Sequence, residues 1–277
     1  MSAVAGKVCV VTGAGSGIGR ALAVTLAARG GRLALSDVDE GGLAETAALV
    51  GSDVHTARLD VSDRDAVAAY ADAVAAHFGV VHQIYNNAGI AHSNTVLDSE
   101  YAEYERVFGV NLWGVIHGTK AFLPHVIASG DGHVVNVSSL NAFLAQKEMS
   151  HYCTTKFAVR GFTESLRAEM QDAGRRVGVT VVHPGGIKTN IATAALEEAR
   201  ASGLEITPAD EARQRHYNEK LLKMDPTRAA EIIVTGVEAD KPRVLVGSDA
   251  KAIDLLVRLL PARYPAVFRR IERLQAR

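Results

Sequence analysis

The chain has 277 residues, of which 48% are hydrophobic and 22% charged, a composition typical of one α/β domain or two small globular domains. Thirty lysines and arginines against 31 aspartates and glutamates give a net charge of -1, which argues against a nucleic-acid-binding protein or one attracted to anionic membranes. The first residues do not read as a signal peptide, residues 73–97 carry too many polar side chains for a membrane span, and the two cysteines lack disulfide or metal-site spacing. We therefore expect a soluble, cytoplasmic protein.

Strand-like and helix-like runs alternate along the chain. Short apolar runs predict seven strands, at Val8–Thr12, Leu33–Ser36, Val54–Leu59, Val80–Tyr85, His133–Val137, Val179–Val182 and Arg243–Val246. Helical periodicity predicts helices at Arg20–Arg29, Asp63–Phe78 (introduced by Ser62), Tyr101–Ala128 (in one or two segments), Ser150–Ala173 and Arg228–Val237. This order predicts a single α/β domain over residues 1–277, a doubly wound Rossmann-type fold whose mostly parallel seven-stranded sheet has helices on both faces.

A glycine-rich turn follows the first predicted strand. Its glycines have the spacing Gly-x-x-x-Gly-x-Gly, which differs from the strict dinucleotide fingerprint. Glycine lets a pyrophosphate approach the backbone, and the start of a helix offers unpaired N–H groups. We expect this turn to bind the phosphates of a dinucleotide through Gly13, Ser16, Gly17, Ile18 and Gly19.

An acidic residue ends the second predicted strand. Asp37 lies 18 residues after Gly19, where a carboxylate accepts hydrogen bonds from the adenosine ribose and repels a 2′-phosphate. No arginine or lysine lies between Gly13 and Gly19 or next to Asp37 in the sequence. NAD is therefore the expected cofactor, and NADP the alternative.

Tyr152 and Lys156 lie four residues apart in a predicted helix and therefore share one face, a turn apart. The reference pKa of a phenol, about 10, is poorly matched to proton transfer near neutral pH. A nearby ammonium favours the phenolate, which suits Tyr152 to act as a general acid or base. Taken alone, the spacing also fits an amphipathic helix in which the two residues are in register by chance.

Further motifs follow in a fixed order: Asp60-Val61, Asn86-Asn87-Ala88-Gly89, Asn111, Ser138-Ser139 and Pro184-Gly185. Together with the glycine turn and the Tyr152/Lys156 pair, the ordered set resembles the short-chain dehydrogenase/reductase family over nearly the whole chain. The resemblance implies the strand order 3-2-1-4-5-6-7 and assembly as a homodimer or homotetramer.

The resemblance also implies roles for single residues. The implied catalytic set is Ser139, Tyr152, Lys156 and Asn111, with Ser139 chosen over Ser138 by its spacing of 13 residues before the tyrosine. Asp60 and Val61 would hold the adenine, although Asp60 could simply end a strand, as Asn111 could simply form a buried hydrogen bond. The other implied cofactor contacts are Asn87, Ala88, Gly89, Tyr152, Lys156, Pro184, Gly185, and, beside the nicotinamide carboxamide, Ile187 and Thr189.

The expected substrate region is less well defined. Asn141, Phe143 and Met149 are candidate pocket walls, although they fit equally well as packing residues of their loop. Residues 188–225 are expected, by analogy with the family, to form a substrate lid. Residues 251–277 carry seven basic and two acidic residues, and predict a basic amphipathic extension that packs on its own domain or on another subunit, with membrane contact as the less favoured alternative.

These features predict an NAD(H)-dependent oxidoreductase that interconverts a secondary alcohol and a ketone, on a hydrophobic substrate of steroid-like, retinoid or aromatic type. Two alternatives stay open: an NADPH-dependent ketone reductase, and a catalytically silent protein that senses the cofactor. His92, His151 and His183 are interpreted as lone structural or pocket-lining histidines. No metal site is expected, because no set of side chains has metal-ligand spacing.

Overall fold

The computed structural model describes residues 2–51, 54–191, 193, 200, 214–215 and 222–275, with the backbone alone for 271–275. The strands are β1 (Val8–Thr12), β2 (Arg32–Asp37), β3 (Val54–Arg58), β4 (Gln83–Asn86), β5 (Gly132–Val137), β6 (Val177–Pro184) and β7 (Arg243–Val246). The helices are α1 (Gly17–Ala28), α2 (Glu40–Val50), α3 (Arg64–Phe78), α4 (Tyr101–Phe108), α5 (Gly114–Ala128), α6 (Ser150–Asp172), α7 (Pro226–Glu238), α8 (Ser248–Leu259) and α9 (Tyr264–Gln275).

The seven described strands form one sheet in the order β3-β2-β1-β4-β5-β6-β7, and every pairing among them is parallel. The order reverses at β1, where Val10 pairs with Ala34 on one side and with Ile84 on the other. In such sheets the loops that leave the strands on either side of this reversal separate and open a crevice for a ligand. The strand order and the α/β fold expected from the sequence are confirmed.

The core lies in two layers, one on each face of the sheet. In β1, Cys9 and Val11 belong to the layer that α1 and α7 cover, and Val8 and Val10 belong to the layer that α3 and α5 cover. Because both faces are buried, the strand is a continuous apolar run instead of an alternating one. Two of the predicted site residues lie at the carboxyl edge of the sheet, since Asp37 ends β2 and Ser139 follows the end of β5.

Two local features differ from the sequence prediction. Helix α2 was not expected. Its second and third residues are glycines, at positions 41 and 42, and its buried residues are Leu43 and Thr46, so its apolar periodicity is weak. Helix α3 is capped by Asp63 and not by Ser62, since the Asp63 carboxylate accepts hydrogen bonds from the backbone N–H groups of Asp65 and Ala66.

The carboxyl-terminal extension forms the two helices α8 and α9, separated near Pro261. Leu255 and Leu259 of α8 are exposed. Within the described part of the chain, no helix combines the length and the apolar character that a membrane crossing requires. Most of the predicted lid, 188–225, lies outside the described residues, so the lid stays a prediction. The role of the extension also stays a prediction.

Candidate active site

The turn between β1 and α1 holds its glycines where a side chain would disturb the backbone. Gly13 and Gly17 have φ angles of +67° and +51°, which residues with a Cβ rarely adopt. A Cβ added to Gly19 would overlap the carbonyl oxygen of Gly13. Among the described residues, the Ser16 side chain makes no capping hydrogen bond and the first turn of α1 carries no acidic group. The N–H groups of that turn are therefore available to an anion such as a pyrophosphate.

Hydrogen bonds tie this turn to the segment after β4. Asn87 Nδ2 donates to the carbonyl oxygens of Thr12, at 3.0 Å, and Gly13, at 3.1 Å. In return, the Thr12 hydroxyl oxygen accepts from the backbone N–H groups of Asn87, at 3.1 Å, and Ala88, at 3.2 Å. Asn87 and Ala88 thus shape the turn. Thr12 was not among the predicted site residues, although its place directly before Gly13 could have indicated it.

Asp37 lies at the carboxyl end of β2, against the glycine turn. Its Oδ2 accepts a hydrogen bond of 2.7 Å from Gly15 N, and its Oδ1 accepts one of 3.0 Å from Asp39 N. Each oxygen keeps a lone pair with which it could bind a ribose hydroxyl. No basic residue adjoins Asp37 in the sequence, but the pairing of β2 with β3 places Arg58 beside it. This neighbour bears on the choice between NAD and NADP.

Asp60 and Val61, the predicted adenine contacts, follow β3. Asp60 is exposed, and its Oδ1 accepts from the backbone N–H of Ser62 at 2.9 Å and from the Ser62 hydroxyl at 2.7 Å. Val61 is buried against the start of α5, where a Cβ added to Gly114 would lie 2.7 Å from Val61 Cγ2. Their contact with an adenine stays a prediction.

Lys156 carries an ammonium group in a buried position. The residue is 3% exposed, and Nζ donates to Val137 O at 3.1 Å. Burial lowers the pKa of Lys156 to about 8. Nζ lies 5.5 Å from the centroid of the half-buried Tyr152 ring. The Ser138 hydroxyl donates to Lys156 O at 2.8 Å and so fixes this part of α6 to the end of β5. The structure therefore places the predicted tyrosine and lysine together.

Asn111 lies in a π turn, Gly109–Trp113, that joins α4 to α5. Its buried amide exchanges two hydrogen bonds of 2.8 Å with the backbone of Ile90. A Cβ added to Gly89 would lie 3.3 Å from Asn111 Oδ1 and 3.5 Å from Lys156 Nζ, so these three residues approach one another closely. Single π turns inside helices recur at functional sites.

Ser139 is buried two residues after the end of β5, and its neighbours hold it from two sides. Asn141 N donates to Ser139 Oγ at 3.1 Å. His183 Nδ1 donates to Ser139 O at 2.9 Å, which fixes the tautomer of the imidazole. Burial lowers the pKa of His183 to about 4, so that this ring is neutral at pH 7. Asn141, a candidate pocket wall, therefore also positions the serine.

The other candidate walls differ in their surroundings. Phe143 is 4% exposed, and its ring packs 4.3 Å from that of His183 and beneath the guanidinium of Arg160, at 5.1 Å. These contacts favour the packing role for Phe143. Met149 is half-buried and forms an isolated β-bridge with Asn94.

The segment Pro184–Thr189 faces the glycine turn and is anchored by α8. The Asp249 carboxylate accepts a hydrogen bond of 2.6 Å from Gly186 N. A Cβ added to Gly17 would lie 3.1 Å from Thr189 Cγ2, so the two segments approach the same space. Within the segment, Pro184 and Ile187 are buried and Gly185 is half-buried.

A parallel sheet with a glycine-rich turn at its reversal point defines the class of dinucleotide-binding α/β proteins. Residues 7–200 match the family described as short chain dehydrogenase. The chain therefore belongs to the short-chain dehydrogenase family and is an oxidoreductase of that family.

Three similar proteins extend this comparison. SadH of Mycobacterium tuberculosis, named as an oxidoreductase, is 53% identical over 271 residues, which cover 95% of this chain and 94% of the relative. Estradiol 17-beta-dehydrogenase 11 of Macaca fascicularis is 30% identical over 273 residues, which cover 96% of this chain and 83% of the relative. The crystal structure of a short chain dehydrogenase/reductase from Burkholderia phymatum in complex with NAD is 35% identical, with a TM-score of 0.86 and 96% of each chain covered.

Proposed function

We propose that this protein is an NAD(H)-dependent oxidoreductase that interconverts a secondary alcohol and its ketone, with Tyr152 as the general acid and base. The observation that carries the proposal is the buried ammonium of Lys156, whose Nζ lies 5.5 Å from the centre of the Tyr152 ring. A buried positive charge has a large unfavourable free energy of desolvation, so its position beside a tyrosine calls for a functional reason. Catalysis by Tyr152 is such a reason.

The residues present fit NAD. The uncapped first turn of α1 and the glycines before it suit the pyrophosphate, and Asp37 suits the adenosine ribose. Asp60 and Val61 would contact the adenine, and Ile187 and Thr189 the nicotinamide carboxamide. When bound, NAD supplies the carbon that accepts or returns a hydride. The relative solved in complex with NAD supports this choice.

The chain itself would handle the proton. As the alcohol is oxidised, the Tyr152 oxygen takes the hydroxyl proton, and the adjacent ammonium of Lys156 favours the phenolate that this step requires. The Ser139 hydroxyl donates a hydrogen bond to the reacting oxygen. Asn111, whose amide oxygen approaches Gly89 as Lys156 Nζ does, supports a relay of the proton through water to solvent.

A hydrophobic substrate is proposed, of steroid-like, retinoid or aromatic type. The relative named estradiol 17-beta-dehydrogenase supports the steroid-like option, because it is similar over 96% of this chain. The NADPH-dependent reductase is the second candidate, since Arg58 lies beside Asp37 and could bind a 2′-phosphate. The cofactor-sensing alternative would need the complete Ser139, Tyr152 and Lys156 set to have no chemical role.

The test replaces Tyr152 by phenylalanine and compares it with Tyr101→Phe, a change at an exposed tyrosine of α4. We expect Tyr152→Phe to bind NAD almost normally and to lose at least ~10²-fold in turnover, the low end for general acid-base catalysis. Calorimetric titration with NAD and NADP measures binding, and reduced-cofactor absorbance over a panel of steroid, retinoid and aromatic alcohols measures turnover. Near-normal turnover of Tyr152→Phe would refute the role of the tyrosine. A lack of turnover of the wild type with every alcohol and ketone would favour the cofactor sensor.

Assembly as a homodimer or homotetramer is also proposed. Trp113 is 52% exposed and Phe157 is 42% exposed, and both are large apolar side chains of helical segments that a second subunit could cover. Light scattering coupled to size-exclusion chromatography measures the assembly directly. The cytoplasmic location stays a prediction from the sequence.

A further inference from the structure

Three potential metal ligands meet beside the first turn of α6. His92 comes from the loop after β4, Glu103 from α4 and His151 from α6, directly before Tyr152. His92 Nε2 lies 2.7 Å from Glu103 Oε1, and the rings of His92 and His151 are perpendicular, with centroids 4.9 Å apart. One ligand atom from each residue lies within 4.8 Å of the other two. The sequence suggested that His92 and His151 are lone histidines, but the structure places them next to each other.

The ring nitrogens of His151 lack hydrogen-bond partners in the part of the chain that the structure describes. The residue is fully buried, and neither ring nitrogen has a hydrogen bond there. Its neighbour Tyr104, whose ring lies 4.1 Å away, uses its hydroxyl group for a hydrogen bond of 2.7 Å with Ser150. A buried imidazole with two unsatisfied nitrogens is rare in folded proteins and asks for an explanation, of which an absent ion is one.

We propose that His92, Glu103 and His151 bind a divalent transition metal ion such as zinc. Two imidazole nitrogens and one carboxylate oxygen form a common zinc ligand set, with a water molecule in the fourth position. At metal–ligand distances of about 2.0–2.2 Å, tetrahedral ligand atoms lie about 3.4 Å apart. The contact between His92 and Glu103 would therefore lengthen, and the widest pair would shorten, by side-chain rotation.

Two charged side chains flank His92 in this cluster: the carboxylate of Glu103 favours a bound cation, and the guanidinium of Arg106 opposes it. Glu103 supplies a carboxylate to the cluster: its Oε2 accepts a hydrogen bond of 2.8 Å from Glu100 N, and its Oε1 faces His92 Nε2. Against this, Arg106 Nη2 lies 3.4 Å from His92 Nδ1. A metal on Nε2 requires the proton on Nδ1, so Arg106 would have to turn away from it.

The consequence for the fold would be a cross-link between three segments. The bound ion would join the loop after β4, helix α4 and the start of α6, one residue before Tyr152. Its role is therefore to hold the first turn of α6 in place. The sequence alone does not reveal the site, because consecutive ligands are separated by 11 and 48 residues, unlike the short spacings of known metal motifs.

The test measures metal binding without cofactor or turnover, so its failure would leave the proposed oxidoreductase function untouched. The full chain is freed of metal with a chelator and titrated with Zn²⁺ by calorimetry, and with Co²⁺ to record the visible absorption of a tetrahedral site. We expect one ion per chain, and at least ~10²-fold weaker binding in His151→Asn and Glu103→Gln, since even outer-shell changes weaken metal sites by 10–100-fold. His125→Asn, a histidine of α5 outside the cluster, is the matched control and should bind as the wild type does.

Arg106→Gln makes the test specific. Removing this cation should tighten zinc binding several-fold, because it opposes both the ion and the required proton on His92. Circular dichroism checks that each variant is folded. No binding by the wild type, equal binding by His151→Asn and His125→Asn, or unchanged binding by Arg106→Gln would each overturn the proposal.

Discussion

Replacing Lys156 by methionine should stabilise the protein near neutral pH while abolishing its activity. Burial lowers the pKa of Lys156 from 10.5 to about 8. At 1.36 kcal/mol per pKa unit, folding at pH 7 places a charged ammonium where it is disfavoured by about 3 kcal/mol. Methionine has a similar length and no charge, but it loses the hydrogen bond to Val137 O, which is worth about 1 kcal/mol. The net expectation at pH 7 is a gain of about 2 kcal/mol in the free energy of unfolding.

The dependence of this gain on pH identifies its cause. Between pH 8 and pH 10.5 the folded lysine loses its proton while the unfolded lysine keeps it. The unfolded state then binds more protons, so the stability of the wild type rises with pH in this window. The variant lacks this rise. Its advantage should shrink above about pH 8 and become a deficit of about 1 kcal/mol by about pH 10.5.

Urea denaturation of the cofactor-free protein at several pH values between about 7 and 10 measures both quantities. Groups that titrate equally in wild type and variant cancel in the difference. Lys120→Met, at an exposed lysine of α5, is the matched control and should change stability by less than about 0.5 kcal/mol at every pH. The reasoning is refuted if Lys156→Met is less stable than the wild type at pH 7, or if the difference between them does not change with pH.

Three further outcomes test the cofactor site and the core. Gly19→Ala should weaken NAD binding at least ~10-fold, about 1.4 kcal/mol, because the new Cβ overlaps the Gly13 carbonyl. Calorimetric titration of the folded variant measures this affinity, and an unchanged affinity would contradict the expectation. Asp37→Asn should raise the ratio of kcat/KM with NADP to that with NAD about tenfold, since one like charge near the 2′-phosphate is removed. Adding Arg58→Gln should reverse that gain in the same steady-state assay, and would leave it unchanged if Arg58 does not reach the phosphate. Burial lowers the pKa of His133 to about 4, so between pH 6.5 and 5 the unfolded state takes up this proton and the folded state does not. This histidine alone should lower the free energy of unfolding by about 2 kcal/mol over that interval, in addition to the effect of His183, whose pKa is lowered in the same way. Urea denaturation of His133→Gln should show a fall that is smaller by the His133 contribution.

The sheet is predictable from the sequence because its central strands are short apolar runs, as in β1, where all five residues are buried. Helical runs alternate with the strands along the chain, which indicates a parallel sheet. Helix α2 escapes prediction because its stability depends on a contact that is distant in sequence. The Thr46 hydroxyl donates to Ala14 O at 2.8 Å, which fastens α2 to the glycine turn. The glycines near the start of α2 and its weak apolar face do not indicate a helix in the local sequence.

In the candidate site too, features set by local spacing are predictable from the sequence, and features set by contacts between distant segments are not. Tyr152 and Lys156 are recognisable because they lie one turn apart in one helix, and their proximity follows from that spacing alone. Arg58 beside Asp37 follows only from the register of β2 and β3, which no local pattern specifies. Thr12 binds the segment after β4 only because β1 and β4 are neighbours in the sheet.

Three buried polar groups, Lys156, His183 and His151, conflict with the usual rules for a stable core, and each conflict points to a role. Lys156 places a charge where burial disfavours it, and the proposed chemistry of Tyr152 explains its presence. His183 buries Nε2 without a hydrogen-bond partner among the described residues, while its Nδ1 donates to the backbone of Ser139, the proposed donor to the reacting oxygen. His151 has two nitrogens without partners among the described residues, and the proposed metal ion would satisfy one of them. Because such conflicts persist in folded proteins mainly where function requires them, a stabilising replacement at any of these three positions should reduce the activity or the metal affinity assigned to it.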